Sequence, residues 1–365
     1  TRKSSNKIFI APTVRVRTQV HELPCTRLPR GVRHIKPQPA CKSGKKAGKV
    51  LPPSTRTTKR RKPWQAKRVH PSIVEIDCDM EGIDEQWVLL RSDAHHDNPH
   101  SDHEREKQDL DEAIKRNAII LDIGDFFCAM GGRADPRRSR HGQTREEHLD
   151  SPDYFDSLVK HGAKFLAPYA SHIAILAQGN HETAVSKNQE TDLTARLVER
   201  INTMTGEKII DGRYGGDVYF KMRRGSKTTS FWLHFYHGSG GGGMMSFDTL
   251  RIRRQSSWNP VASVIVCGHV HERWALEMVR KIPALNKSTY SVFLESQWHI
   301  RCGCYKDEYG GDSLTETRQS GAGGWHVERG GPPKPIGAMW MRIKIDRKQT
   351  QGGDFCRPKL DFMPT

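Results

Sequence analysis

Five short polar blocks follow five apolar runs, in one order along the chain. They are Asp93-Ala-His95 after WVLLR, Gly124-Asp125 after AIILDI, Gly179-Asn180-His181-Glu182 after IAILAQ, His237-Gly238 after FWLHFY, and Gly268-His269-Val270-His271 after VIVC. The blocks supply carboxylate, carboxamide and imidazole groups and no thiolate, a donor set suited to hard and borderline divalent cations. Asp93, His95, Asp125, Asn180, His181, His237, His269 and His271 are the side-chain types that a two-metal phosphoester-cleaving centre needs. One such block is a weak signal, because a lone His after a strand is more often structural. Five in series are hard to assign to packing alone. Asp93 and His95 are two apart, so in an extended segment both side chains leave on one face, and the same holds for His269 and His271. Asn180 and His181 are adjacent and are expected to diverge, one ligating and the other doing something else. Gly124 lets the backbone at Asp125 come close to an ion.

The elements that must position these blocks alternate between strand and helix. Strands are expected near 87–92, 117–123, 172–178 and 261–267, with β-rich runs at 217–223 and 229–236. Ser101-Asp-His-Glu104 reads as a capping box opening a helix to about Asn117. Helices are also expected over 153–170, broken near Pro168, over 187–203 with Leu193, Leu197, Val198 and Ile201 on the buried face, and around 246–255. WALEMVRKI and TYSVFLES read as strands of a second sheet, and MWMRIKI (339–345) reads as a closing strand. Loops after strand ends are where α/β folds place their sites.

The ordered set DxH, GD, GNHE, H and GHxH resembles the calcineurin-like metallophosphoesterase superfamily, from about Val88 to Trp274. The resemblance implies an α/β fold, a four-layer α/β/β/α sandwich. It implies two divalent ions, with Mn²⁺ preferred and Fe, Zn²⁺ or Ni²⁺ also suited to these ligands. The first ion would take Asp93, His95, Asp125 and His271. The second would take Asp125, Asn180, His237 and His269, with Asp125 bridging. His181 would be the general acid and Glu182 the residue that orients it. The implied chemistry is two-metal hydrolysis by a hydroxide held between the ions, since coordination lowers the pKa of water from about 15.7 to about 7. GDxVDRG and RGNHE, typical of protein Ser/Thr phosphatases, are replaced here by Gly124-Asp125-Phe-Phe-Cys128 and Ala177-Gln178-Gly-Asn-His-Glu. With GHxH intact, a phosphodiester in nucleic acid or a nucleotide is the expected substrate and a phosphomonoester the runner-up.

Substrate contacts are expected in three places. Arg137, Arg138 and Arg140 form a basic cluster after the GD block, and guanidinium forks suit phosphate oxygens. Gly240 and Gly241, in the Gly-rich stretch after His237, would offer backbone N–H groups to a phosphate. Trp325, His326 and Arg329 lie in a Gly/Pro-rich stretch that is expected to fold back over the sheet end.

Charge is unevenly placed along the 365 residues. The net charge is +17, yet residues 1–70 hold 20 Lys/Arg and one acid, Glu22, which leaves 39 Lys/Arg against 41 Asp/Glu for the remainder. That leader carries eight prolines and few large apolar residues. It is expected to be disordered over 1–70, a basic tail with possible DNA or RNA contact, ahead of one catalytic domain at 71–365. A nucleic-acid-binding protein working mainly through this leader is the second alternative. No run of about 18 apolar residues occurs, so no membrane span is expected. Eight scattered cysteines fit a reducing, cytoplasmic compartment better than a disulfide framework.

Overall fold

The computed structural model describes residues 62–132, 135, 145, 148, 151–241, 248–286, 289–309, 325–345 and 358–365. Two sheets stack face to face. The seven-stranded sheet runs β1 (Trp64–His70), β2 (Ile73–Asp79), β7 (Gly215–Arg224), β8 (Lys227–Tyr236), β9 (Val264–Cys267), β11 (Thr289–Cys302) and β10 (Arg273–Asn286). The six-stranded sheet runs β13 (Pro358–Pro364), β12 (Met339–Ile345), β3 (Glu85–Arg91), β4 (Ile119–Asp122), β5 (Ile173–Leu176) and β6 (Ile210–Asp211). Strands β3 to β6 are parallel, so β3, β4 and β5 deliver their following loops to one end of the sheet.

Period-2 alternation explains the layers. Val88 and Leu90 of β3, with Ile119 and Leu121 of β4, face the other sheet. There they meet Ile76, Phe220, Leu233, Val264 and Ile300 in a shared core. Leu89 and Ile120 point the other way, onto α1 (His103–Lys115), α2 (Tyr154–Leu166), α3 (Asn180–Gln189) and α4 (Leu193–Thr205), through Leu110, Leu158, Val185 and Leu197. Runs buried on both faces read as continuously apolar, as parallel strands do. The outer face of the seven-stranded sheet carries one helix among the described residues, α5 (Leu250–Trp258), whose Ser256 meets His299 of β11 at 2.9 Å. The order is helices, sheet, sheet, helix: the four-layer sandwich that the sequence resemblance implies.

Several expectations need correction. The leader was placed at 1–70, but β1 begins at Trp64, buried against the core, and pairs with β2 in register from Trp64↔Cys78 to Arg68↔Val74. Its outward Lys67 and Arg68 disguise a strand as linker; residues 1–61 lie outside the described set. The helix cap is Asp102, which accepts the Arg105 N–H at 3.0 Å, whereas Ser101 donates to the Ala94 carbonyl instead. The stretch after GNHE holds two helices, since α3 starts at Asn180 itself. Among the described residues no helix is long and apolar enough to cross a membrane. The five described cysteines, at 78, 128, 267, 302 and 304, are buried free thiols.

A pH dependence follows from the outer layer. Burial, with help from Arg301 and Arg280, pushes the His299 imidazole down to about 4. In the unfolded chain it titrates near 6.5. Its contribution to stability is therefore whole above about pH 6.5 and is lost as pH falls through that value toward 4. His299→Gln removes this loss, so its melting temperature should fall less between pH 7 and pH 4.5 than that of the unaltered chain. Parallel pH curves for the two proteins, by scanning calorimetry, would count against this account.

Candidate metal centre

Each polar block lies where a strand ends. Asp93 and His95 follow β3, Asp125 follows β4, and Asn180 and His181 open α3 just after β5. His237 follows β8, and His269 and His271 follow β9. Both sheets therefore contribute. The loops are tied to one another by backbone bonds: Asp93 N–H donates to Gly124 O at 2.9 Å, His95 N–H to Asp125 O at 3.0 Å, and Gly268 N–H to His237 O at 2.8 Å.

The backbone here is not extended, contrary to the spacing argument. Asp93, His95, Asp125, His269 and His271 all adopt positive φ, between 45° and 73°. This region is sparsely used by residues other than Gly and costs on the order of 1–3 kcal/mol each. It persists because the interloop bonds over-determine it. Glycines make the close approach possible. A Cβ on Gly124 would lie 2.5 Å from the Gln178 carbonyl, and one on Gly268 would meet Ser92 Oγ and, at 2.5 Å, Asp93 Oδ2. Gly268→Ala should therefore displace the Asp93 carboxylate and lower bound metal, read by elemental analysis, while the fold persists by circular dichroism. Full metal content in that variant would refute the packing argument.

Two groups of donors stand side by side. Asp93, His95 and His271 form one, and Asp125, His237 and His269 the other. In the first, His95 Nε2 lies 3.2 Å from His271 Nε2, which is 3.4 Å from Asp93 Oδ1. In the second, His237 Nε2 lies 3.1 Å from Asp125 Oδ2 and 3.2 Å from Asn180 Oδ1, which is 2.6 Å from His269 Nδ1. The groups adjoin, with Asp93 Oδ1 4.0 Å from His237 Nε2. Donors sharing one ion at roughly 2.0–2.2 Å are separated by roughly 3 Å. The spacing fits.

Tautomers sharpen the test. His237 Nδ1 faces the Ile123 carbonyl at 3.0 Å and must donate there, which leaves its Nε2 as a lone pair. His269 Nε2 donates likewise to Gly240 O at 3.0 Å, leaving Nδ1 as a lone pair. Those lone pairs converge on Asp125 Oδ2 and Asn180 Oδ1, which are acceptors too. A cluster of acceptors about 3 Å apart is repulsive unless a proton or a cation sits among them. Asp93 Oδ1 is fully buried and has no hydrogen-bond partner. A proton is the alternative occupant: burial lowers His237, but Asp125 outweighs it and carries the imidazole up to about 9. Asp125 is held well below the usual carboxylate range, its burial outweighed by His237 and His181. Burial pushes His95 well down, with His181 and His271 adding to it.

His181 sits at the rim. Its Nδ1 donates to the Cys128 carbonyl at 2.7 Å, its Nε2 lies 3.9 Å from Asp125 Oδ2, and its ring meets that of His95 edge-on at 4.9 Å. Glu182 does not orient it, which corrects the expectation. Glu182 Oε1 accepts the Phe127 N–H and Oε2 the Gly179 N–H, both at 2.8 Å, so it fastens two ligand loops together. Adjacent residues at a helix start point apart, and sequence adjacency misled. The residue behind His181 is Asp97, which accepts Cys128 N–H at 2.6 Å and Ala129 N–H at 2.9 Å and so holds that carbonyl in place. Asp97 was missed because nothing marks it beyond being a carboxylate two residues after His95.

Beneath the site lies a buried ionic network, also missed. Arg91 meets Glu106 at 2.5 Å and Asp122 at 2.9 Å, and Glu106 meets His96 at 3.0 Å. Its signal was visible, since Arg91 and Asp122 are charged residues closing apolar runs and pair in register on adjacent strands. Asp122 also accepts the Gly124 N–H, which ties the network to the GD block. Of the expected substrate contacts, Arg137, Arg138 and Arg140 lie outside the described residues. Gly240 and Gly241 turn carbonyls toward His269 and Arg251. His326 Nε2 is engaged by the Pro332 carbonyl at 2.9 Å.

No protein-family model matches the sequence, and no curated protein matches it. Among solved structures, a conserved predicted phosphoesterase from Streptococcus pneumoniae is similar at 12% identity and a TM-score of 0.25, over 78% of this chain and 91% of that one. Zinc-complexed Vps29 from Entamoeba histolytica is similar at 9% identity and a TM-score of 0.28, over 76% and 99%. GAP50 of the Plasmodium inner membrane complex is similar at 11% identity and a TM-score of 0.30, over 72% and 82%. Likenesses this distant say nothing of activity.

Proposed function

We propose that this chain is a metal-dependent phosphoesterase that hydrolyses a phosphodiester in nucleic acid or a nucleotide. The observation that carries the reading is the pair of adjoining donor groups, Asp93-His95-His271 and Asp125-His237-His269 with Asn180, whose nitrogen and oxygen atoms converge at the spacing of ligands around shared ions. Asp125 would serve both ions. When bound, two divalent ions supply charge to the phosphoryl oxygens and an acidified water. The chain's own residues do the rest. His181, its Nδ1 engaged by Cys128 O, turns Nε2 toward the centre, where a proton can be passed to the leaving oxygen. Asp97 and Glu182 hold the loops that set that ring and the Asp125 carboxylate. Mn²⁺ is the ion we expect, with Fe, Zn²⁺ and Ni²⁺ as competitors for the same ligands.

The test is hydrolysis by the full chain of bis-p-nitrophenyl phosphate, p-nitrophenyl phosphate and single-stranded DNA, with Mn²⁺ and then with EDTA. Diester and DNA cleavage that EDTA abolishes is the expected result. Cleavage of the monoester alone moves the assignment to a phosphomonoesterase. Inertness toward all three, with both ions bound, would refute the reading.

A further inference from the structure

The hairpin of β10 and β11 runs well past the sandwich. The two strands pair without interruption from Arg273↔Cys302 to Asn286↔Thr289, yet β9 pairs with β11 only over Trp298–Arg301. The outer part, 279–286 against 289–296, is thus a two-stranded arm about 27 Å long. Cross-strand partners share a face. Ile300, on one face at the base, is in the core between the sheets, and Trp298, on the same face, meets the Phe362 ring of β13 at a tilt, 5.0 Å between centroids. Farther out that same row continues as Val279, Leu294, Val292, Leu285 and Tyr290, each 56–84% exposed. The side chains that would fill a core go on past the point where the opposing sheet stops, and among the described residues nothing covers them. An isolated ribbon with an uncovered apolar face is marginal in water.

We infer that this face is an interface between two copies of the chain, arm packed on arm about a two-fold axis. Self-packing suits it for three reasons. A two-fold axis between the arms sets the same apolar row against itself, which is what an isologous contact requires. The five side chains expose on the order of 500 Å² per copy, most of the roughly 800 Å² per partner of a stable interface, and the strand backbone and Pro283 supply more. Among the described residues, Lys281 is the one cation on the outer part of this face, so a polyanion finds little to hold there.

The experiment is sedimentation velocity on the full chain, beside Val292→Glu/Leu294→Glu, which places two carboxylates on exposed positions remote from the metal centre. The unaltered protein should sediment as two copies of the 41.5 kDa chain and the variant as one, with the far-ultraviolet dichroism of the two alike. Tyr290→Cys should also form a disulfide-linked dimer under mild oxidation. A monomeric unaltered chain would overturn the inference, whether or not it binds lipid vesicles. So would a dimer that survives both carboxylates, because its contact lies elsewhere.

Discussion

Asp125→Asn should strip the centre of its metal and cut phosphodiester hydrolysis by about 10³-fold or more. Charge neutralisation by bound ions supplies several kcal/mol to a phosphoryl transition state, and each 1.36 kcal/mol is a factor of ten. The substitution is close to isosteric. It keeps an oxygen for the His181 N–H, which Asp125 Oδ1 accepts at 2.9 Å, and it removes the negative charge facing His237 at 3.1 Å. The unaltered Asp125 is held ionised by His237 and His181, so the lost charge is one the folded protein carries at neutral pH. Elemental analysis and turnover should fall together, with the far-ultraviolet dichroism unchanged. Two ions retained per chain would show that Asp125 does not serve both.

His181→Ala separates binding from chemistry. Its nitrogens are not in either donor group proposed for the ions, and its Nδ1 is engaged by the Cys128 carbonyl. The variant should therefore keep its metal content and lose about 10²-fold or more in turnover, the scale of a lost general acid. The loss should be steepest for substrates with poor leaving groups and small for nitrophenyl esters bearing extra electron-withdrawing groups, which leave without a proton. An equal loss across that series would assign His181 a role other than proton donation. Asp97→Asn, acting through the Cys128–Ala129 backbone, should give a weaker version of the same pattern.

The candidate centre was legible because ligand chemistry restricts residue type: carboxylate, carboxamide and imidazole donors come from only a few side chains. Apolar runs buried on both faces announced the strands that carry those residues. Other elements hid for physical reasons. β1 presents Lys67 and Arg68 to water and so reads as a basic linker. β13 is bracketed by Pro358 and Pro364, which its edge position tolerates. The positive-φ backbone at five donor positions leaves no trace in composition, since Asp and His sit there where Gly would be cheapest. Glu182 was misassigned because adjacency along a chain says little about which loop a side chain fastens.

Because donors come from the ends of both sheets, His95 and His271, 176 residues apart, can face each other only after the two halves have docked. Closing so long a loop is slow, and its entropy is spent before the site offers anything in return. Metal capture should accordingly be among the last events as the chain folds, unable to template the early steps. A chelator present during refolding should leave the rate of core formation untouched and remove only a final, concentration-dependent phase.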